Sequence, residues 1–168
     1  GETGVQTRYS GLLSSPSFSI GKFFGAQDLM GAVSFNTKVI GSGLTLEDVN
    51  AKVEGAISEI NFKNYAYRNL TVSGEIAKGL FEGHLNVNDT NLALVFNGSI
   101  DLNPKEPVFD FKASIAKANL FPLHLFNRDS SASFSTELSS HFSGDRLDDL
   151  VGTISLNNTT YKEQSHQY

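Results

Sequence analysis

The chain has 168 residues, a hydrophobic fraction of 39%, 15 glycines and a net charge of −5. That is enough apolar material for one folded core and argues against disorder, while the acidic balance leaves no basic surplus for nucleic-acid phosphates or an anionic membrane surface. Cysteine is absent, which removes disulfide frameworks and thiolate metal sites, and no apolar run approaches the ~18 residues of a membrane-spanning helix.

Gly1-Glu2-Thr3-Gly4 reads as an extraneous leader and is set aside, leaving 5–168 as the folded segment. No secretory signal is legible, so any targeting element of a longer parent protein is expected elsewhere. Pro16 marks a segment edge. Helix is scarce: one short turn is expected around Leu46 to Val49 and a poorer one near Lys117 to Leu120.

From Leu70 onward the dominant signal is period-two alternation, the mark of half-buried strands whose side chains point alternately to opposite faces. Leu70, Val72, Gly74 and Ile76 share one parity; Thr71, Ser73 and Glu75 take the other. Phe81, Gly83, Leu85 and Val87 alternate with Glu82, His84 and Asn86. Leu92, Leu94, Phe96, Gly98, Ile100 and Leu102 oppose Asn97, Ser99 and Asp101, and Phe109, Phe111, Ala113 and Ile115 oppose Asp110, Lys112 and Ser114. Lys78-Gly79 suits a tight hairpin, Asn88-Asp89-Thr90-Asn91 a polar turn, and Asn103-Pro104-Lys105-Glu106-Pro107 a loop that its prolines keep out of any central strand. Phe96 and Phe111, on the apolar side of the strands flanking that loop, are expected to meet across the sheet.

Pro122 marks another edge, and beyond it the flanks repeat. Val33-Ser34-Phe35-Asn36-Thr37-Lys38 matches Ala132-Ser133-Phe134-Ser135-Thr136-Glu137. Ser42-Gly43, Glu47-Asp48-Val49 and Val53 align with Ser143-Gly144, Asp148-Asp149-Leu150 and Ile154. This predicts a repeat unit of about 100 residues, of which the chain holds little more than one copy. Thr159 to Glu163 continues a strand pattern, so the chain reads as one piece of an array.

Candidate chemistry is thin. His84, His124, His141 and His166 have no ligand spacing, and His84 shares a polar strand face with Glu82 and Asn86. The acid pairs Glu47-Asp48 and Asp148-Asp149 recur at equivalent places and read as turn or cap residues, not as acid–base partners. No serine lies in a nucleophile elbow, and no glycine cluster has phosphate-loop spacing. Five asparagines (69, 88, 97, 157 and 158) head Asn-x-Ser/Thr sequons, which would matter only in a eukaryotic secreted domain. No catalytic residue, cofactor or metal is expected, and the chain reads as a non-enzyme.

The stretches Ala51-Lys52-Val53-Glu54-Gly55-Ala56-Ile57, Phe62 to Gly74, Leu80-Phe81-Glu82-Gly83-His84-Leu85, Leu92 to Leu102 and Leu150 to Leu156 resemble the translocation and assembly module B (TamB) family of the AsmA-like superfamily. The motifs are degenerate, and the match rests on their order from about residue 10 onward. The resemblance implies the periplasm of a Gram-negative bacterium, with a long parent protein anchored in the inner membrane. It implies repeats folded into an open trough, a role in carrying phospholipid between inner and outer membranes, and outer-membrane protein assembly with a TamA-type barrel.

The fold expected is therefore all-β. A long, curved, mostly antiparallel sheet of roughly ten or more strands would fold into an open trough (a β-taco) or a flattened barrel. The 13 phenylalanines and absent tryptophan load one face with aromatics. Alternation by itself suits a sealed sandwich core equally well; the resemblance favours the open trough. Its lipid groove would be lined by Leu70, Val72, Ile76, Phe81, Leu85, Val87, Leu92, Leu94, Phe96, Ile100, Phe109, Phe111 and Ile115, with phospholipid acyl chains as the partner. Two other readings stay open: strand addition to assemble outer-membrane proteins, and a structural spacer with a sealed β core.

Overall fold

The computed structural model describes residues 7–24, 27–28, 30–101, 107–143 and 151–163. Strand accounts for 74% of the chain. Among the described residues, strands β1 (Arg8–Phe18), β2 (Met30–Ser42), β3 (Asn50–Phe62), β4 (Tyr65–Ala77), β5 (Leu80–Asn88), β6 (Leu92–Asp101), β7 (Val108–Asn119), β8 (Ser133–Ser143) and β9 (Val151–Lys162) follow one another, with one helix, α1 (Ile20–Phe24), between β1 and β2. They form a single antiparallel sheet in sequence order, β1 to β9. The sheet does not close, and it curves into an open trough.

The meander follows from alternating sequence joined by short turns. Lys78-Gly79 is the expected hairpin, with positive φ at both residues (51° and 84°), the geometry whose twist matches paired strands. Lys63-Asn64 makes a second such turn between β3 and β4 (47° and 63°); its weak turn pair lies between Phe62 and Tyr65 and gave no signal of its own. Thr45 to Val49 closes one helical turn, Val49 N–H donating to the Thr45 carbonyl at 2.9 Å, as expected. The second helical expectation is corrected. Lys117 to Asn119 belongs to β7, paired with β8 through Ala118↔Phe134 and Asn119↔Ser133, and the turn begins only at Leu120. Cross-strand pairing outweighs local helix propensity there. Pro16 lies inside β1 instead of at its edge, tolerated because β1 is an outer strand with an irregular register between Ser15 and Phe18.

Curvature has identifiable causes. Register shifts fall between Ser34 and Phe35 on β2 and between Ser15 and Phe18 on β1. On β4, Asn69 takes a left-handed φ of 57°. Bulges at neighbouring places in adjacent strands add twist and bend the sheet along one line. The first pairs of β2–β3 and of β8–β9 have matching registers: Ser42↔Asn50 and Ile40↔Lys52 in one, Ser143↔Val151 and His141↔Thr153 in the other. Leu102, most of the 103–107 loop, Asp148, Asp149, His166 and residues 1–4 lie outside the described residues.

Burial is local. Val39, Val49 and Ala51 form a small dry cluster under the 43–49 turn, with Tyr9, Val53 and Ile76 against it. Leu123 and Ala132, at 2% and 1% exposure, anchor the connection between β7 and β8. Between these ends Leu70, Val87, Phe96 and Ala113 are buried in a packed floor on the inner face, and Val72, Phe81 and Leu85 beside them stay half-buried.

Candidate functional site

Register builds the inner face row by row. It aligns the apolar parity of each strand with that of the next, so side chains on one face meet across strands. Leu70 pairs with Val87, Val72 with Leu85 and Ile76 with Phe81. Phe81 then pairs with Ile100, Leu85 with Phe96 and Val87 with Leu94. Ile100 pairs with Phe109, Leu94 with Ile115 and Gly98 with Phe111. Leu92, on the same parity, meets Ala118 across a register shift.

The sheet curls far enough for β1, α1 and β6 to face one cavity of about 370 Å³. One wall carries Val72, Ile76, Phe81, Leu85, Phe96 and Ile100. The other carries Leu13 and Phe18 of β1, Ile20 and Phe23 of α1, and Met30, Val33, Phe35, Thr37 and Val39 of β2; Val53, Ile57 and Ile60 of β3 join them. Seventeen of these eighteen residues are apolar, and the hydroxyl of Thr37 is the single polar side chain. Phe18 meets Phe23 and Phe35 with ring centroids 6.1 and 6.2 Å apart.

The floor is shaped by glycine. Gly74, Gly83 and Gly98 stand side by side across three strands. The Phe81 ring lies over Gly74, its Cε2 2.8 Å from where a Cβ would stand, and Phe111 sits opposite Gly98. Missing side chains let aromatic rings lie along the sheet and keep the trough wide. Phe96 and Phe111 meet as expected, 5.0 Å apart at a tilt of 36°, and Phe109 stacks on Phe142 at 4.8 Å. Phe96 is only 7% exposed, however. It belongs to the packed floor, whereas Phe81, Leu85 and Ile57 are half-buried and present surface to the cavity.

A polar knot ties the strand ends beside the trough. Asp89, 7% exposed, accepts from Tyr65 Oη at 2.6 Å and Asn91 N at 2.8 Å on Oδ1, and from Arg68 N at 2.9 Å on Oδ2. Asn91 Nδ2 donates to Tyr65 Oη, and Asn119 Nδ2 to Asn91 Oδ1. Burial pushes the Asp89 carboxyl up, but the hydrogen bonds from Tyr65, Asn91 and Arg68 outweigh it and hold the carboxyl below its ordinary range. Burial, then the bond to Asp89, raises the Tyr65 phenol, which keeps it protonated as a donor.

The outer face is polar and solvated. Lys52–Glu75 and Arg68–Glu59 pair at 3.3 and 3.1 Å, with all but the half-buried Glu59 side chain largely exposed, an arrangement worth little net stability. His84 is exposed between Ser73 and Asn97, and His141 lies 3.3 Å from Asp110. His124 sits at a turn with φ 59°. No group of three or more metal-ligating side chains converges among the described residues. Asp48 takes the cap role expected for the acid pairs: Oδ1 accepts from Leu44 N, Thr45 N and Thr45 Oγ1 at 3.1, 2.7 and 2.8 Å. The Thr45 side-chain bond leads in holding its carboxyl low. Asp48→Ala should lower the melting temperature slightly at neutral pH, and the difference from the parent chain should shrink in acid, where the carboxyl is protonated anyway.

No family model, curated protein or solved structure matches the chain. The arrangement itself offers an apolar cavity with almost no group to orient a ligand. Of the thirteen groove residues expected from sequence, six line the cavity. Leu70, Val87, Leu92, Leu94, Phe109, Phe111 and Ile115 extend the same face on either side. Missed were the residues of β1 to β3 and α1 that make the facing wall. The alternation Val33, Phe35, Thr37, Val39 could have revealed four of them, and α1 carries no signal beyond two phenylalanines.

Proposed function

We propose that this chain is a periplasmic segment of a longer, inner-membrane-anchored, TamB-like protein, and that its trough carries phospholipid acyl chains between the two membranes without catalysing a reaction. The observation that carries this reading is the cavity: about 370 Å³ with seventeen of eighteen lining residues apolar. That volume falls within the range of about 300–1,000 Å³ common to small-molecule sites. Each buried methylene gains about 0.8 kcal/mol. With no polar group but the Thr37 hydroxyl to fix position, the gain varies little as a chain slides, which suits conduction more than a fixed pocket.

The test uses the purified chain and a phosphatidylethanolamine with a fluorescent acyl chain, read by binding and by native mass spectrometry. Ile57→Asp and Leu85→Asp place a carboxylate at half-buried cavity positions; Ala56→Asp and Asn86→Asp are exposed neighbours on the outer face. A charge against acyl chains is strongly unfavourable, so the first pair should lose at least tenfold in probe affinity while staying folded. The second pair should match the parent chain. Lipid binding that survives Ile57→Asp and Leu85→Asp, or a parent chain that binds none, would overturn the conduit.

A second reading, delivery of outer-membrane strands towards a TamA-type barrel, draws on the outer edges of β1 and β9, which no other strand covers among the described residues. It expects binding of an unfolded outer-membrane strand peptide that the two cavity variants leave intact.

A further inference from the structure

We infer that the Thr37 hydroxyl recognises the ester carbonyl of a bound phospholipid, donating a hydrogen bond to it from the wall of the trough. The inference rests on the reading of the trough as a lipid groove and adds which atom of the lipid the protein recognises. Thr37 is the single polar residue among the eighteen that line the cavity, and only 4% of it is exposed. Among the described residues its Oγ1 has no hydrogen-bond partner. Buried hydroxyls nearly always have one, because leaving them unbonded is costly.

A second threonine in a matching place shows what Thr37 lacks. β1–β2–β3 and β7–β8–β9 are built alike. Register breaks between Ser15 and Phe18 in one and between Ile115 and Ala118 in the other, and Thr37 stands opposite Leu13 as Thr136 stands opposite Ile115. Thr136 is as buried, at 3%, but its Oγ1 lies 2.8 Å from Thr159 Oγ1 and 3.2 Å from the Asn157 carbonyl oxygen on β9. Thr37 instead faces Gly55 on β3, which has no side chain to offer. A Cβ on Gly55 would stand 2.7 Å from the Thr37 Cα and 3.2 Å from its Cβ. No larger residue fits there without displacing Thr37, so β3 supplies no partner, and the free side of Thr37 is the cavity.

The surroundings select the ligand atom. A hydroxyl can donate to an anion or to a neutral oxygen, but an anion here would be desolvated among seventeen apolar residues, with no cation in the lining. A neutral carbonyl fits, and in a phospholipid each acyl chain begins at one, in its ester. With that carbonyl on Thr37, the methylenes run along the apolar rows, and the headgroup beyond the ester reaches water through the open side of the trough. One hydrogen bond of ordinary net strength marks a resting position without trapping the chain.

The test sets unlabelled diester and diether phosphatidylethanolamines of equal chain length against the fluorescent probe, in one detergent. The ether lacks the carbonyl and is otherwise alike. The parent chain should bind the diester about threefold to tenfold more tightly, the ratio one neutral hydrogen bond supports. Thr37→Val should bind the two alike, losing diester affinity and keeping diether affinity, while Thr37→Ser should retain the preference. Thermal melts of the lipid-free chain give a readout that needs no ligand. Thr37→Val should melt no lower than the parent, since no bond inside the protein is lost, whereas Thr136→Val should melt lower. Equal affinities in the parent, a preference that survives Thr37→Val or is lost in Thr37→Ser, an equal loss of both lipids in Thr37→Val, or a lower melting temperature for that variant would overturn this inference and leave the groove reading standing. A parent that binds neither lipid would overturn both.

Discussion

Asp89→Ala should destabilise the sheet by about 3 kcal/mol, because it strands three donors that the carboxylate now satisfies. Tyr65 Oη and Asn91 N both point at Oδ1, and Arg68 N points at Oδ2. Asp89→Asn separates charge from shape. Its carbonyl can keep the Tyr65 and Asn91 bonds, but its amide then faces the Arg68 N–H, donor against donor, so Asn should recover only part of the loss. Equilibrium denaturation in urea, with unfolding followed by circular dichroism, measures both. An alanine variant as stable as the parent would mean that the knot is ornamental.

The same residue sets a pH dependence. Hydrogen bonds hold the folded-state carboxyl of Asp89 below its ordinary range, against an unfolded value of about 3.9. A depressed carboxyl contributes stability that is present above the unfolded value and is lost as pH falls through the folded one. The parent chain should therefore lose stability more steeply than Asp89→Ala as pH drops below about 4, and the two curves should converge in strong acid.

Gly83→Val should destabilise by at least about 3 kcal/mol, although strand propensity alone predicts the opposite sign. A Cβ on Gly83 would stand 2.6 Å from the Gly74 Cα and closer still to the Ser73 carbonyl oxygen. Those are backbone atoms of the adjacent strand, and they cannot rotate aside. Gly98→Val should behave alike, since its Cβ would meet the Phe111 Cα at 2.5 Å from a backbone φ of +151°. Beyond stability, pushing these strands apart would lift the Phe81 and Phe111 rings off the floor and narrow the trough. Denaturant melts of Gly83→Ala, Gly83→Val and Gly98→Val should show losses that grow with side-chain size. A neutral or stabilising valine would show that the strands do not approach so closely.

Much of this protein is legible in its residues. Alternation from Leu70 to Ile115 suffices for β4 to β7, for their apolar face and for the meeting of Phe96 with Phe111, because period-two geometry assigns faces without reference to the rest of the chain. Lys78-Gly79 sufficed for one hairpin, since glycine accepts positive φ at no steric cost. Other features depend on partners distant in sequence. Lys117 to Asn119 became strand because β8 lay alongside; α1 formed where Phe18, Phe23 and Phe35 could gather. The line of bulges that bends the sheet is a property of neighbouring strands together.

Above all, alternation cannot distinguish a sealed core from an open trough, as both demand one apolar face. That was decided by curvature and by edges: the sheet curls until Leu13 of β1 and Phe96 of β6 line the same cavity, yet β1 and β9 do not pair. Closure depends on how bulges and glycine contacts accumulate over nine strands, a sum that no single stretch of sequence contains.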